Sequence, residues 1–316
     1  MIIHKDNINN FAEIFGLILG DGWLSKSNRQ HKNGNYIVYQ SGVSADIEDL
    51  ISVKNKMTHI FNDIGKASIR TTDTHSKEYN INGITNMVVF NKKVSTTLEE
   101  YGMPVGKRVE KNFSIPEWIV NGSLEIKRYF ISGLYAAEGD ILNFQKNNKT
   151  LKSPSIVLTK RKSLENDFKE MCNQIKNIFG CLGVEMNIHY SYKTSLKHEN
   201  IYANFSICNS NQNIKKFIEL LPLNYCKRKK DVFEKVYDYI SYKEKEEEKA
   251  RLTYLNVMKD SKKFKICQIA KKYNIPWSTA NNYIKGTRTN PMSIRFLTFD
   301  EYSSIKNPLN GGNLIT

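Results

Sequence analysis

Apolar residues recur along this chain with two periods, and the switches between them mark out its elements. An almost unbroken apolar stretch, Ile14-Phe15-Gly16-Leu17-Ile18-Leu19-Gly20, ends in Asp21-Gly22 and reads as a buried helix. Alternating stretches at 23–28 and 36–44 follow and read as strands. Residues 46–63 carry Ile47, Leu50, Ile51, Met57 and Phe61 at helical spacing; 67–73 and 79–90 return to strand character, and 93–101 to helix. The same order then repeats. Ile131-Ser132-Gly133-Leu134-Tyr135-Ala136-Ala137-Glu138-Gly139 is a second apolar helix. It precedes strands at 141–146 and 155–160, a helix at 164–179, strands at 185–192 and 201–208, and helices at 214–221 and 229–242. Each half therefore reads αββαββα. The fold class is α+β: a duplicated chain whose halves pair about a pseudo-two-fold axis.

The two apolar helices share more than their hydropathy. Small residues four apart, Gly16/Gly20 and Gly133/Ala137, fall on one helix face. Glycine inside a helix costs about 1 kcal/mol relative to alanine, so two within five residues call for a reason. Close approach of another backbone supplies one. Each helix then ends with an acid before a glycine, and the two acids are 117 residues apart. A carboxylate at a helix C-terminus opposes the dipole. Its presence in both copies points to a function such as metal binding.

Charge adds a partner to this picture. The 316 residues hold 47 basic and 32 acidic side chains, for a net charge of +15, and a balance this positive favours a polyanion, above all nucleic acid. Residues 1–112 are nearly balanced at +2, 113–251 carry +6, and the last 65 residues carry +7. Together with the irregular segment at 102–118 and the charged run 243–249, this predicts half-domains at 1–112 and 113–250 and a small all-α module at 251–316. The apolar runs fall far short of the roughly 20 residues a membrane helix needs, and the N-terminus lacks a secretory pattern. Five cysteines without a CxxC pair argue for an intracellular, reducing compartment and against a disulfide framework or zinc site.

The paired motifs resemble those of LAGLIDADG homing endonucleases of the single-chain, two-motif type, across roughly residues 8–242. The joining segment YGMPVGKRVEKNFSIPEWI is similar to that of intein-associated and archaeal members. The resemblance implies two saddle-shaped antiparallel sheets presented to the DNA major groove, with the acids meeting beside the scissile phosphates. Asp21 and Glu138 would then be the catalytic carboxylates and, with Gly20 and Ala137, the ligands of Mg²⁺ or Mn²⁺. A basic residue near each cleavage centre is also implied. Lys107 fits the first half; Cys226-Lys-Arg-Lys-Lys230 offers Lys227 for the second, with Lys229 as its rival. Ser44 and Lys160, ending the second strand of each half, are further candidates. The motif departs from the signature at Leu19 and Ala136, and Glu138 stands where Asp is commoner. Asp140 reads as a turn residue starting a strand. The chain begins with Met and ends at Thr316, so we expect a free-standing, monomeric enzyme for intron homing rather than a self-splicing one.

Residues 264–286 read as a helix-turn-helix: Ile266, Ile269 and Ala270 on one helix, a break at Asn274, Pro276 opening a second helix, and Gly286 closing it. Ser278, Thr279, Asn281, Asn282, Lys285 and Arg288 are its expected DNA contacts, alongside Trp277. On the strands, Tyr36, Gln40, Arg70, Asn80, Asn143, Gln145, Lys160, Tyr190 and Tyr192 are the expected readers of double-stranded DNA. The resulting expectation is a metal-dependent, site-specific endonuclease. An RNA maturase and a non-cleaving DNA-binding regulator are the alternatives; retention of both acids disfavours each.

Overall fold

The structure is a computed structural model, and it describes residues 3–31, 34–61, 67–76, 81–194, 199–287 and 296–306. In the first half, α1 (Ile8–Asp21) leads into β1 (Gly22–His31) and β2 (Gly34–Ser44). These are followed by α2 (Ile47–Ile60), β3 (Ser68–Ser76), β4 (Ile81–Phe90) and α3 (Lys92–Glu100). The four strands form one antiparallel sheet in the order β1-β2-β4-β3. After a 3-10 turn at Arg108–Glu110 and a single helical turn, α4 (Glu117–Val120), the second half opens with α5 (Leu124–Glu138). It continues through β5 (Ser155–Arg161), α6 (Glu165–Cys181), β6 (Met186–Thr194), β7 (Glu199–Ile207) and α7 (Asn211–Leu220). Its sheet is antiparallel, in the order β5-β7-β6. The long α8 (Lys227–Asp260) and short α9 (Ile266–Tyr273), α10 (Trp277–Ile284) and α11 (Phe299–Lys306) complete the chain. Polar residues stop the helices at their N-termini. The side chains of Asn91, Ser123 and Ser210 accept from the N–H three residues on, capping α3, α5 and α7.

The two motif helices are the centre of the main unit. Phe11 through Gly20 of α1 and Phe130 through Ala136 of α5 are buried without a break. The small residues make the contact: a Cβ on Gly16 would overlap the carbonyl oxygen of Phe130, and one on Gly133 would overlap that of Glu13. Further along, Gly20 lies against the methyl group of Ala137. Backbone therefore meets backbone, and no side chain fits between.

One expected strand is absent. Residues 141–146 form no strand; only single bridges, Gly139 to Ile156 and Phe144 to Leu151, remain. At the break the Asp140 N–H still donates to the Ser155 carbonyl (2.9 Å), but the Ser155 N–H donates to the Asp140 carboxylate (2.7 Å) rather than to its carbonyl, which the Tyr135 hydroxyl takes. The expected αββαββα of the second half is thus short by one strand; its other elements fall close to where periodicity placed them, except that the helix expected at 229–242 runs from Lys227 to Asp260.

By packing, residues 1–142 with 152–233 make one compact unit and residues 143–151 with 234–316 another. This division falls inside α8, whereas the charge pattern set its boundary at 250/251. The second unit has its own cores. Val257, Ile269, Ala280 and Tyr283 are buried together between α8, α9 and α10. Phe144 stacks on Phe299 at 4.5 Å, with Tyr239 edge-on to both. Asn274 ends α9 in the left-handed region (φ 50°), and α10 begins after Pro276, as the sequence indicated. Among the described residues, no helix is long and apolar enough to cross a membrane.

Gly16→Ala and Gly133→Ala should each destabilise the fold by about 1–3 kcal/mol or more, because the added methyl must displace main chain. Gly180, in the last turn of α6 with open space around it, provides the contrast: Gly180→Ala should stabilise by about 0.4–1 kcal/mol. Urea denaturation midpoints of the three variants check both signs.

Candidate active site

Helix contact fixes the position of the two acids. Asp21 is the last residue of α1 and Glu138 the last of α5, and the Gly20–Ala137 contact brings these ends together. Gly22 and Gly139 turn the chain out of each helix, their N–H groups bonding Ile18 O and Tyr135 O. Asp21 keeps solvent access, yet desolvation raises its carboxyl above the ordinary aspartate range, against the pull of Lys229 and Arg108. Glu138 is half-buried. Desolvation first, and repulsion from Asp21 second, push it up to about 7, while Arg108 and Lys229 oppose the rise. The charge of Asp21 thus adds to the rise of Glu138, while the rise of Asp21 comes from burial alone.

Each acid-bearing helix end has its own cation. The Arg108 guanidinium donates from Nη1 to the carbonyl of Ile18 at 3.1 Å. Lys229 Nζ donates to the carbonyls of Tyr135 (3.0 Å), Ala136 (2.7 Å) and Ala137 (3.4 Å). Ile18 and Tyr135 occupy the same step of the repeat, 117 residues apart, so Arg108 and Lys229 are counterparts. Arg108 and Lys229 add second bonds to the Ile18 and Tyr135 carbonyls, which already accept from Gly22 and Gly139, and Lys229 also bonds the Ala136 and Ala137 carbonyls; positive charge at a helix C-terminus offsets the adverse placement of the acids. Burial lowers both side chains from their ordinary pKa values, and Asp21 and Glu138 act in the opposite direction.

These two cations are not the ones chosen from sequence. Lys107 precedes the 3-10 turn and is exposed. Lys227 turns outward: its Nζ pairs with Glu48 at 3.0 Å, and its N–H bonds Asp49 at 3.1 Å. Lys229 was the rival in its own segment. Arg108 was missed although it adjoins Lys107, because one residue of offset reverses the direction of a side chain.

Lys160 also departs from expectation. Rather than facing DNA, it is buried, with Nζ donating to the carbonyls of Arg108 and Lys111 (2.6 Å to the latter) and lying over the Phe113 ring. Burial first, and the charge of Arg108 second, lower it to about 7. With Arg108 and Glu138 it lines a largely apolar cavity of about 240 Å³. Ser44 is half-buried at the end of β2, opposite Met87. Asp140 is fully engaged by Ser155 and the Tyr135 hydroxyl, so it serves the fold as a turn residue.

Strand register sorts the expected DNA readers. Tyr36, Gln40 and Arg70 are exposed on the face of the first sheet that also carries Ser25 and Arg29, away from the buried Ser41 and Val43. Tyr190 and Tyr192 fall on the other face of their sheet. Tyr190 bonds Cys172 of α6, and the Tyr192 hydroxyl donates to Glu165 of α6 at 2.7 Å. The open face of β6 carries Asn187, His189, Ser191 and Lys193 instead. Asn143 and Gln145 belong to no sheet. In the second unit Ser278 and Lys285 are exposed and Thr279, Asn281 and Asn282 half-buried on α10 and its end. Asn80 and Arg288 lie outside the described residues.

The donor set suits a hard divalent cation: two carboxylates whose mutual repulsion a metal would relieve, and no sulfur. Gly20 and Ala137 have only main-chain carbonyls to add. Among the described residues no group of three or more His, Cys, Asp or Glu side chains gathers as a metal site.

Comparison with known proteins bears on the same region. Among curated proteins, the chain is 28% identical over 225 residues to the tRNA-splicing ligase RtcB of Pyrococcus abyssi (strain GE5 / Orsay), covering 71% of this chain and 23% of that protein. It is 27% identical over 318 aligned positions to the ligase of the same name from Pyrococcus furiosus, covering 94% and 30%. To the Replication factor C small subunit of Methanocaldococcus jannaschii it is 26% identical over 306 residues, covering 92% and 15%. The chain thus spans less than a third of the length of these relatives. Among solved structures, the I-SmaMI LAGLIDADG homing endonuclease bound to cleaved DNA is 12% identical with a TM-score of 0.41, covering 74% of this chain and 90% of that one. I-GzeII in complex with its DNA target is 15% identical with a TM-score of 0.40, covering 74% and 91%. A family profile matches residues 125–222, a stretch that holds most of α5, its terminal Glu138 and the whole second sheet. The profile is that of a LAGLIDADG-like domain, and this stretch of the chain is similar to it.

Proposed function

We propose that this protein is a site-specific double-strand DNA endonuclease that hydrolyses phosphodiester bonds with divalent metal. The observation that carries the reading is the doubled arrangement of acid and cation: Asp21 with Arg108 and Glu138 with Lys229, at equivalent helix ends in one chain. Two such sites suit one cut in each strand, which a monomer with an internal repeat performs without a partner copy. The curated relatives support it in another way. A ligase, a replication factor subunit and an RNA polymerase subunit share this stretch over less than a third of each. A segment common to proteins so differently named points to a module with an activity of its own.

Asp21 and Glu138 would hold Mg²⁺ or Mn²⁺, which when bound supplies Lewis acidity and a more acidic attacking water. The water oxygen bonds to phosphorus as the bond to the leaving sugar oxygen breaks. The chain's own contribution is electrostatic and positional. Lys229 already gives its hydrogen bonds to three carbonyls, so it acts on a phosphate as a fixed positive charge. Arg108 spends Nη1 on Ile18 and presents the planar fork that matches phosphate oxygens. The exposed Tyr36, Gln40 and Arg70 on one sheet, and Asn187, His189 and Lys193 on the other, are the side chains we assign to base and phosphate contacts. Ser278 and Lys285 of the second unit would add contacts through the second helix of a helix-turn-helix.

Sites cut in the presence of Mg²⁺ should be recoverable by selection from a randomised DNA pool, and EDTA should abolish the cutting. On the recovered target, Asp21→Asn or Glu138→Gln should lower cleavage at least about 100-fold while gel-shift affinity stays close to wild type. Full cleavage by both variants would overturn the assignment. A regulator would bind without nicking, and a maturase would stimulate intron splicing. In single-turnover assays, Arg108→Met and Lys229→Met should cost about 10–100-fold, and Lys107→Met and Lys227→Met less than about threefold.

A further inference from the structure

A third acid, Glu13, sits within the helix contact itself. It is 0% exposed, on α1 two turns before Asp21. A carboxylate in such a place is costly unless it is hydrogen-bonded; here both oxygens accept, and burial still raises Glu13 above the ordinary glutamate range against those bonds. Oε1 accepts from the Ser132 hydroxyl at 2.8 Å and from the Asn224 N–H at 3.1 Å; Oε2 accepts from Asn224 Nδ2 at 2.7 Å. Ser132 Oγ in turn accepts from the Leu223 N–H at 2.9 Å. The carboxylate thus pins residues 223–224, where Leu223 is held in the left-handed region at φ 46°, a conformation that persists only where surrounding bonds impose it. Asp49, also from the first half, accepts from the Lys227 N–H. The two first-half acids bracket the segment that delivers Lys229 to the end of α5.

The repeat supplies its own control. The counterpart of Glu13, 117 residues on, is Phe130, also 0% exposed. An apolar side chain therefore satisfies the packing of this helix face, and the carboxylate serves something else. We propose that Glu13 is a positioning residue that holds Lys229 against the acid pair through Asn224 and Ser132, so that the first half sets the cation of the second. The proposal deepens the endonuclease reading and rests on it for its catalytic consequence, but not for its geometry.

The experiment measures both. Wild type, Glu13→Ala, Glu13→Gln and Asn224→Ala are treated with N-hydroxysuccinimidyl acetate, and acetylation of Lys229 and Lys227 is followed by peptide mass spectrometry. In wild type the buried Lys229 should react at least about tenfold more slowly than the exposed Lys227. Glu13→Ala should erase most of that difference without changing Lys227. Glu13→Gln should restore most of the protection, since its carbonyl still accepts from Ser132 and the Asn224 N–H, and the Asn224 amide can turn so that its oxygen accepts from the new Nε2. If Glu13→Ala fails to melt cooperatively, Asn224→Ala carries the test, because Asn224 is exposed and its truncation removes only the Nδ2–Oε2 bond, leaving the helix contact without a cavity. Lys229 as protected in a folded Glu13→Ala or Asn224→Ala variant as in wild type would overturn the proposal. On selected DNA, Glu13→Ala should lower the single-turnover cleavage rate roughly 10–100-fold with little change in DNA binding. A wild-type chain that cuts no DNA would defeat the endonuclease reading, while the acetylation pattern would still decide the clamp.

Discussion

Main-chain contact between two helices governs this molecule. Because Gly16 and Gly133 have no Cβ, α1 and α5 approach until each glycine faces a carbonyl of the other helix. That distance decides where the helix ends lie, and the helix ends carry Asp21 and Glu138. Were larger residues to part the helices, the carboxylates would separate, and Glu138 would lose both the burial that does most to raise it to about 7 and the Asp21 charge that adds to the rise. The chemistry of the site is a property of helix spacing as much as of the residues that perform it.

The same contact creates the electrostatic problem that the rest of the site resolves. Two acids at two helix C-termini face carbonyl dipoles and each other. Arg108 and Lys229 answer both difficulties at once, by bonding the last carbonyls and lying within reach of both acids. Each is in turn held from the opposite half: the Arg108 carbonyl by Lys160, with Arg161 paired to Glu110 beside it, and the Lys229 segment by Glu13 and Asp49. These crossed anchors make the two halves interdependent.

Much of this was legible in the sequence, and the reasons for the exceptions are physical. The motif helices declared themselves because two independent signals, small residues four apart and an acid before glycine, recur together. The strands of the first half followed from alternation. Alternation, however, shows that a strand has two faces without showing which one is covered, and so Tyr190 and Tyr192 were assigned to the face opposite their own. A basic cluster fares worse. Lys107 and Arg108, or Lys227 and Lys229, are equivalent in composition, and only the path of the backbone decides which one turns inward. The missing strand at 141–146 has a correct alternating pattern. Pairing stops at Asp140, whose carboxylate takes the Ser155 N–H, and from residue 143 the chain packs with the other unit.

The short segment 143–151 changes how the C-terminal unit must be regarded. It lies between two portions of the main unit in sequence, yet Phe144 packs with Tyr239 and Phe299 of the other unit. The chain therefore enters that unit twice. A single cut at the boundary near residue 233 would therefore leave nine residues of that unit inside the repeat, and Phe144 without the rings it packs against.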